Sequence, residues 1–239
     1  MLTVPHLTDV AQAYIPCHPE LFAYNEAFMQ RFIDPSMHHN TQKERPALLA
    51  AVQEIAEQLY HLQLFTPAFC QCLIEEAEHH GEWETNLEKT VESHPLFPDD
   101  ASIVDICEPD TTISFDALPG LEEVYDQIMR QHIQPLVEAL WTTFKLQRWD
   151  IPEVRKYVLD LINQMDLHYD LETVALVTYL SGPTFVGGGT YFPRWNVTVG
   201  NHDNVRPGSA IVYPGGVSHE HSALPITAGV RYMLGGSLY

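Results

Sequence analysis

The chain has 239 residues, of which 45% are hydrophobic and 18% charged, with a formal net charge of −20 at pH 7. This length can bury a full core, and one domain with an added helical segment accounts for it better than two domains. The acidity argues against a nucleic-acid partner, and no stretch reaches the roughly 20 apolar residues of a membrane span, so no membrane partner is expected.

The same negative field favours a cationic partner, while also serving solubility. Met1 to Ala13 contains Pro5 and Asp9 but no Lys, Arg or apolar core, and does not read as a secretory signal. Cys17, Cys70, Cys72 and Cys107 lack CxxC spacing. They read as buried or free thiols of a reducing compartment, which makes a cytoplasmic location the expectation. Glu20 to Ile33 carries Leu21, Tyr24, Phe28 and Phe32 at helical spacing. Pro46 opens a second predicted helix with Leu48, Leu49, Val52, Ile55, Ala56, Leu59 and Tyr60 on one face. Thr66-Pro67 is an N-cap followed by Pro at the first helical position, and predicts a helix through His80 that Gly81 ends. Glu84 to Asp100, with Pro95, Pro98 and Asp99-Asp100, reads as an irregular loop. Leu121 to Trp141 predicts a long amphipathic helix that Pro135 kinks or breaks.

From Glu153 short runs rich in Val, Ile, Tyr and Thr alternate with Gly- and Pro-bearing turns: Val154–Leu159, Thr173–Leu180, Thr190–Val199, Ser209–Tyr213 and Val230–Leu238. Such spacing suggests a barrel or double-sheet jelly roll. The expected fold is mainly β with N-terminal helices (α+β), a cupin-like core supported by helices. A helical segment over residues 1–63 and a β-rich unit over 64–239 are expected to pack as one body.

His168 and Asp170 stand two residues apart at the edge of a strand-like run, where alternate side chains share a face and can grip one ion, or else serve a cap or turn. His18–Glu20 and His80–Glu82 have the same spacing. The first lies in a proline-flanked segment, and the second closes a helix, where such residues diverge. His219 and His221 are also two apart, and spacing does not choose between them as a second imidazole. Two His with one carboxylate form the facial set that holds non-haem Fe(II). His202 belongs to the polar turn Gly200–Asn204 and reads as a surface residue. Arg231 lies in the apolar run Ile226–Leu238, where a lone charge is costly. Its partner is either an Asp or Glu of the chain or a ligand carboxylate suited to its planar fork. Tyr157 and Tyr179, on neighbouring strand-like runs, offer hydroxyl donors.

The run Gly187-Gly188-Gly189-Thr190-Tyr191-Phe192-Pro193-Arg194-Trp195-Asn196 resembles the G-G-G-x-x-F-x-R-[YW]-[ND] stretch of the procollagen lysyl hydroxylases. Pro214, Gly215, His219, His221, Leu224, Pro225, Gly229, Arg231 and Tyr232 meet each fixed letter of that family's P-G-x-x-x-H-x-H-x-x-L-P-x-x-x-G-x-R-Y. The similarity covers roughly Leu64 to Tyr239, and Tyr157 also matches a family Tyr. It implies a double-stranded β-helix core and an Fe(II)/2-oxoglutarate dioxygenase unit over 64–239. It further implies iron held by His168, Asp170 and His221 rather than His219, and 2-oxoglutarate held by Arg231; Tyr157 and, from its strand position alone, Tyr179 are candidate hydroxyl donors to that co-substrate. Molecular oxygen and a peptide, protein or amino-acid substrate are then the expected partners. Ascorbate is an expected auxiliary and a homodimer an expected assembly. The family's H-P-G has Tyr213 in place of its His, and the loop around Glu84–Asp100 does not follow the family, which leaves the substrate less defined than the cofactor chemistry.

Overall fold

The computed structural model describes residues 14–38, 43–88, 90–93, 104–107 and 109–239. Its helices are α1 (Glu26–Phe32), α2 (Arg45–Ala50), α3 (Pro67–His80), α4 (Leu121–Ile128) and α5 (Gln134–Leu140). The N-terminal strands are β1 (Gln53–Ala56), β2 (Leu59–Gln63), β3 (Glu84–Asn86), β4 (Thr90–Ser93), β5 (Val104–Cys107) and β6 (Asp110–Ser114). There follow β7 (Glu153–Val158), β8 (Met165–His168), β9 (Val174–Tyr179), β10 (Phe185–Gly187) and β11 (Thr190–Phe192). The last are β12 (Val197–Val199), β13 (Ser209–Pro214), β14 (His221–Ala223) and β15 (Ile226–Leu238).

Local chemistry sets the helix ends. The Thr66 hydroxyl accepts from the Phe69 amide, Pro67 occupies the first turn, and Gly81 closes α3 in the left-handed region at φ 72°. The helix read from Glu20 to Ile33 is divided: a 3-10 turn at Pro19–Phe22 stops, and Asn25 caps α1 afresh by accepting from Phe28. The helix read across Leu121–Trp141 is interrupted by a π-helical turn at Met129–Ile133. Pro135, just beyond it, has no N–H for the Gln131 carbonyl, and the widened turn absorbs that lost bond.

Two expectations fail. The helix opened at Pro46 ends at Ala50, and residues 53–63 form the β1–β2 hairpin instead. β2 pairs antiparallel with β13 from Ser209↔Gln63 to Val212↔Tyr60, so the segment read as helical supplies a strand of the central sheet. Long-range ladder bonds there override a local helical spacing. The Glu84–Asp100 loop contains β3, paired with β6, and β4, paired with β5. Residues 94–100 lie outside the described residues. The run Thr190–Val199 is two strands, β11 and β12, turned back at Asn196 with φ 53°.

The major sheet runs β1-β2-β13-β9-β15-β7-β6-β3, with β10 on β15, and the minor sheet runs β12-β11-β14-β8. Strand alternation divides the apolar side chains between two cores. Val154, Val174, Leu176, Val212 and Leu234 face the helices, against Phe28, Phe32, Phe69, Leu73, Ile128 and Leu136. Their neighbours Tyr157, Ala175, Tyr179, Ile211, Tyr213 and Met233 face the minor sheet, against Phe192, Val199 and Ala223. The chain is thus a mostly antiparallel double-stranded β-helix with helices on the outer face of its major sheet.

Candidate active site

A cavity of about 360 Å³ opens between the two sheets, lined by Tyr157, Met165, His168, Asp170, Thr190, Tyr213, His221 and Met233 among others. β8 pairs with β14 in the register His221↔His168, which sets the two imidazoles side by side with ring centroids 4.4 Å apart. Asp170 follows β8 on a loop held by the Pro214-Gly215-Gly216 turn. The Gly216 amide donates to the Asp170 carbonyl at 2.7 Å, and a Cβ on Gly215 would collide with the Glu172 carbonyl. Only glycine lets that turn approach so closely.

His168 Nε2 lies 3.8 Å from Asp170 Oδ1, and His221 Nε2 lies 3.8 Å from Asp170 Oδ2. His168 Nδ1 donates to the Asp166 carbonyl at 2.7 Å, and His221 Nδ1 donates to the His219 carbonyl at 3.0 Å. Each backbone carbonyl fixes the tautomer that leaves Nε2 free for a metal. Burial lowers the pKa of His221, against the opposing pull of Asp170, and so keeps its ring neutral. One ligand atom of each of the three residues falls within 4.8 Å of the others. This donor set, half-buried and with tautomers fixed, fits a hard-to-borderline divalent ion with open positions.

His219 does not join it. It ends a 3-10 turn, donates from Nε2 to the Glu57 carbonyl at 3.2 Å, and stacks on Tyr213 with centroids 5.9 Å apart. The spacing that left two imidazoles open is resolved because only His221 begins a strand. His202 lies in its turn, with Nδ1 accepting from the Gly187 amide.

Arg231 projects from β15, opposite Tyr157 on β7, and lies at the buried end behind the cavity wall that Tyr157 and Thr190 form. It is 1% exposed, yet Nε and Nη1 have no hydrogen-bond partner. Nη2 reaches the Thr190 hydroxyl at 3.5 Å, and the guanidinium lies 5.2 Å and 5.8 Å from the Tyr157 and Tyr179 ring centroids. The alternative partner, an Asp or Glu of the chain, is not found on it among the described residues. Burial lowers its pKa, with the two tyrosines opposing. A buried cation with two unpaired N–H edges fits the far carboxylate of a dicarboxylate. Tyr179 donates to Thr190 at 3.1 Å, its own pKa raised by burial to about 12. Gly200 permits this, since a Cβ there would enter the Tyr179 ring.

Two residues were missed by sequence reasoning. Thr190 contacts both Tyr179 and Arg231, and its place in the Gly-rich run was the available signal. The Tyr213 hydroxyl donates to Asp170 Oδ2 at 2.9 Å and lies 3.2 Å from His221 Nε2, so it touches two members of the triad. Burial, and then Asp170, raise its pKa well above the ordinary value and keep the hydroxyl a donor. Cys17 is exposed and Cys70 and Cys72 are buried, all as free thiols, while the Cys107 side chain lies outside the described residues.

The OGFOD2-like domain family matches residues 10–95. The mouse procollagen-lysine,2-oxoglutarate 5-dioxygenase 1 is 27% identical over 217 residues, which is 90% of this chain and 27% of that protein. The viral collagen prolyl hydroxylase of Paramecium bursaria Chlorella virus-1, solved with 2OG, superposes with TM-score 0.53 at 17% identity, covering 77% of this chain and 96% of that one. In sequence the chain is thus similar to a procollagen-lysine dioxygenase, and in fold to a collagen prolyl hydroxylase. A Trichoplax adhaerens prolyl hydroxylase, solved with a hypoxia inducible factor peptide fragment, superposes with TM-score 0.54 at 13% identity, covering 82% and 91%. The chain spans about a quarter of the length of the curated relatives that it matches.

Proposed function

We propose that the chain is an Fe(II)- and 2-oxoglutarate-dependent hydroxylase that acts on a lysyl or other cationic side chain of a protein or peptide. The observation that carries the cofactor reading is Arg231, a buried guanidinium with two edges unpaired among the described residues, directly behind the Tyr157 and Thr190 wall of the cavity that His168, Asp170 and His221 line. When bound, Fe(II) and 2-oxoglutarate supply the oxidising chemistry, in which dioxygen and the co-substrate give succinate, carbon dioxide and a hydroxylated C–H bond. The chain's own part is placement. His168 and His221 present unprotonated Nε2 atoms, Arg231 and Thr190 orient the co-substrate, and Tyr213 steadies Asp170. Met165, Ala223 and Met233 keep the walls apolar and exclude water. The β1–β2 hairpin completes the major sheet, so the helical segment and the β-rich unit act as one body in this proposal.

The lysyl reading is supported by the similarity to procollagen-lysine dioxygenases and by Asp150, Glu153 and Glu172 at the open end of the cavity. The test is to supply Fe(II), 2-oxoglutarate and lysyl peptides, and to follow succinate with mass spectrometry of the peptides. Succinate formation with a gain of one oxygen on lysine is expected. No iron-dependent succinate would mark a non-catalytic binding module. Oxygen gain confined to free amino acids or neutral side chains would overturn the substrate assignment alone.

A further inference from the structure

Far from the cavity in sequence, the segment before α1 crosses α3. Glu76 of that helix is fully buried and accepts from the Tyr14 hydroxyl, the Cys17 amide at 3.2 Å, the Cys17 thiol at 3.3 Å and the His18 amide at 2.7 Å. A carboxylate without water thus spends its lone pairs on holding the Cys17–His18 corner in one place. From that corner His18 Nε2 reaches Glu75 Oε2 at 2.7 Å, and His18 Nδ1 lies 3.6 Å from Glu20 Oε1. Cys72, one turn before Glu75 and Glu76 on α3, brings a buried thiol to the same point. One ligand atom each from His18, Glu20 and Cys72 lies within 4.8 Å of the others. Arg31 bridges the remaining side, with Nη1 3.2 Å from Glu20 and Nη2 4.0 Å from the Cys72 sulfur.

We propose that His18, Glu20 and Cys72 form a second metal site, of the zinc class, with His18 Nδ1 as the imidazole donor, its Nε2 held by Glu75, and water as the fourth donor. Thiolate, imidazole and carboxylate together are a zinc donor set, whereas the His168–Asp170–His221 set contains no sulfur. Tetrahedral bonds of ~2.0–2.3 Å place neighbouring donors about 3.5 Å apart, so shifts on the order of 1 Å close the present cluster on an ion. Arg31 is half-exposed and leans over the Phe32 ring, and it can leave for solvent as the ion takes over its positive charge. The thiol proton is released on binding. The site ties the His18–Glu20 turn to α3, so its role is to fasten the N-terminal segment onto the helical layer rather than to take part in oxidation.

Cobalt(II) separates the two sites, because only a sulfur ligand gives a thiolate-to-cobalt charge-transfer band in the near ultraviolet. The full chain titrated with Co(II) should show that band, and His221→Ala, which cripples the other site, should keep it. Cys72→Ser should lose the band while still binding cobalt at the triad. His18→Ala, a change of a half-exposed residue, should weaken the band without unfolding the chain. Zn(II) should raise the unfolding temperature of His221→Ala but not of the His18→Ala, His221→Ala double variant. Absence of the band in the wild type, or its survival in Cys72→Ser, overturns the proposal. Its loss in Cys17→Ser but not in Cys72→Ser overturns the assignment as well.

Discussion

Behind the closed end of the cavity Arg231 stands among Tyr157, Tyr179 and Thr190 with no carboxylate on it among the described residues, whereas on the more exposed part of the lining, the open end, Asp150, Glu153 and Glu172 outnumber Arg155. The two ends differ in burial as much as in sign: Arg231 is 1% exposed, while the Glu153 side chain is 42% exposed. Electrostatic energies grow as water is removed, so the closed end can select a single anion by direct contact, and the open end acts on a cation mainly at a distance. Between them the His168–Asp170–His221 triad has its imidazole tautomers set by backbone carbonyls rather than by either charged group.

The largest effect should come from removing the ion between the two ends. His221→Ala should abolish tight Fe(II) binding, while His219→Ala should retain most of it, as measured by equilibrium dialysis. Equal losses would show that His219 does more than offer its carbonyl.

Next comes the closed end itself. Arg231→Ala should cost about 2–5 kcal/mol of 2-oxoglutarate affinity, because the ligand carboxylate then lies buried and unpaired. Arg231→Lys should rescue only part, since a point charge lacks the fork. Without co-substrate the same burial makes Arg231 a liability. Arg231→Met should therefore raise the unfolding temperature by about 2–4 °C if the relief is near one kcal/mol. Added 2-oxoglutarate should stabilise the wild type and not this variant. A wild-type response from Arg231→Met would place the far carboxylate elsewhere.

The open end gives a pH signature. Burial, and then Asp170, push Glu172 up to about 7 in the metal-free protein. Its folded value is raised above the ordinary ~4.3, so its favourable contribution is complete at acid pH and is lost as pH rises through about 7. Glu172→Gln should thus gain stability relative to wild type between pH 5 and 8, and gain nothing near pH 4 (roughly the unfolded value of a Glu carboxyl). A pH-independent difference would show that Glu172 is held ionised by its Ser237 hydrogen bond.

The smallest effect concerns salt. Turnover at low concentration of a lysyl peptide should fall as ionic strength shortens the roughly 10 Å screening length at 0.1 M. The maximal rate should change less. A neutral substrate that is preferred and insensitive to salt would remove the open end from substrate selection.

Legibility in the sequence followed the same division. Arg231 stood out because a charge in an apolar run is costly, and His168 with Asp170 because alternate residues of a strand share a face, though a cap or turn and a structural ion pair were equally open readings. The choice of His221 over His219 rested on a family resemblance, and its physical cause, a 3-10 turn that ends at His219, has no signature in the spacing. The caps of α3 were visible because Thr66-Pro67 and Gly81 act locally. The β1–β2 hairpin was not, since Leu48 to Tyr60 carries a helical spacing and only pairing with β13, about 150 residues later, makes Leu59–Gln63 a strand. Tyr213 was noticed only as a departure from a motif, and its contact with two metal ligands needed the fold.

That pairing of β2 with β13 has one more consequence, for any attempt to isolate the oxygenase half. A chain cut between residues 63 and 64 would bare the amides and carbonyls of Ser209 to Val212, now matched to Gln63 through Tyr60, along a run that is apolar and fully buried. An uncovered strand edge of that character recruits further copies of itself, so the shortened protein would meet aggregation before it met its cofactors.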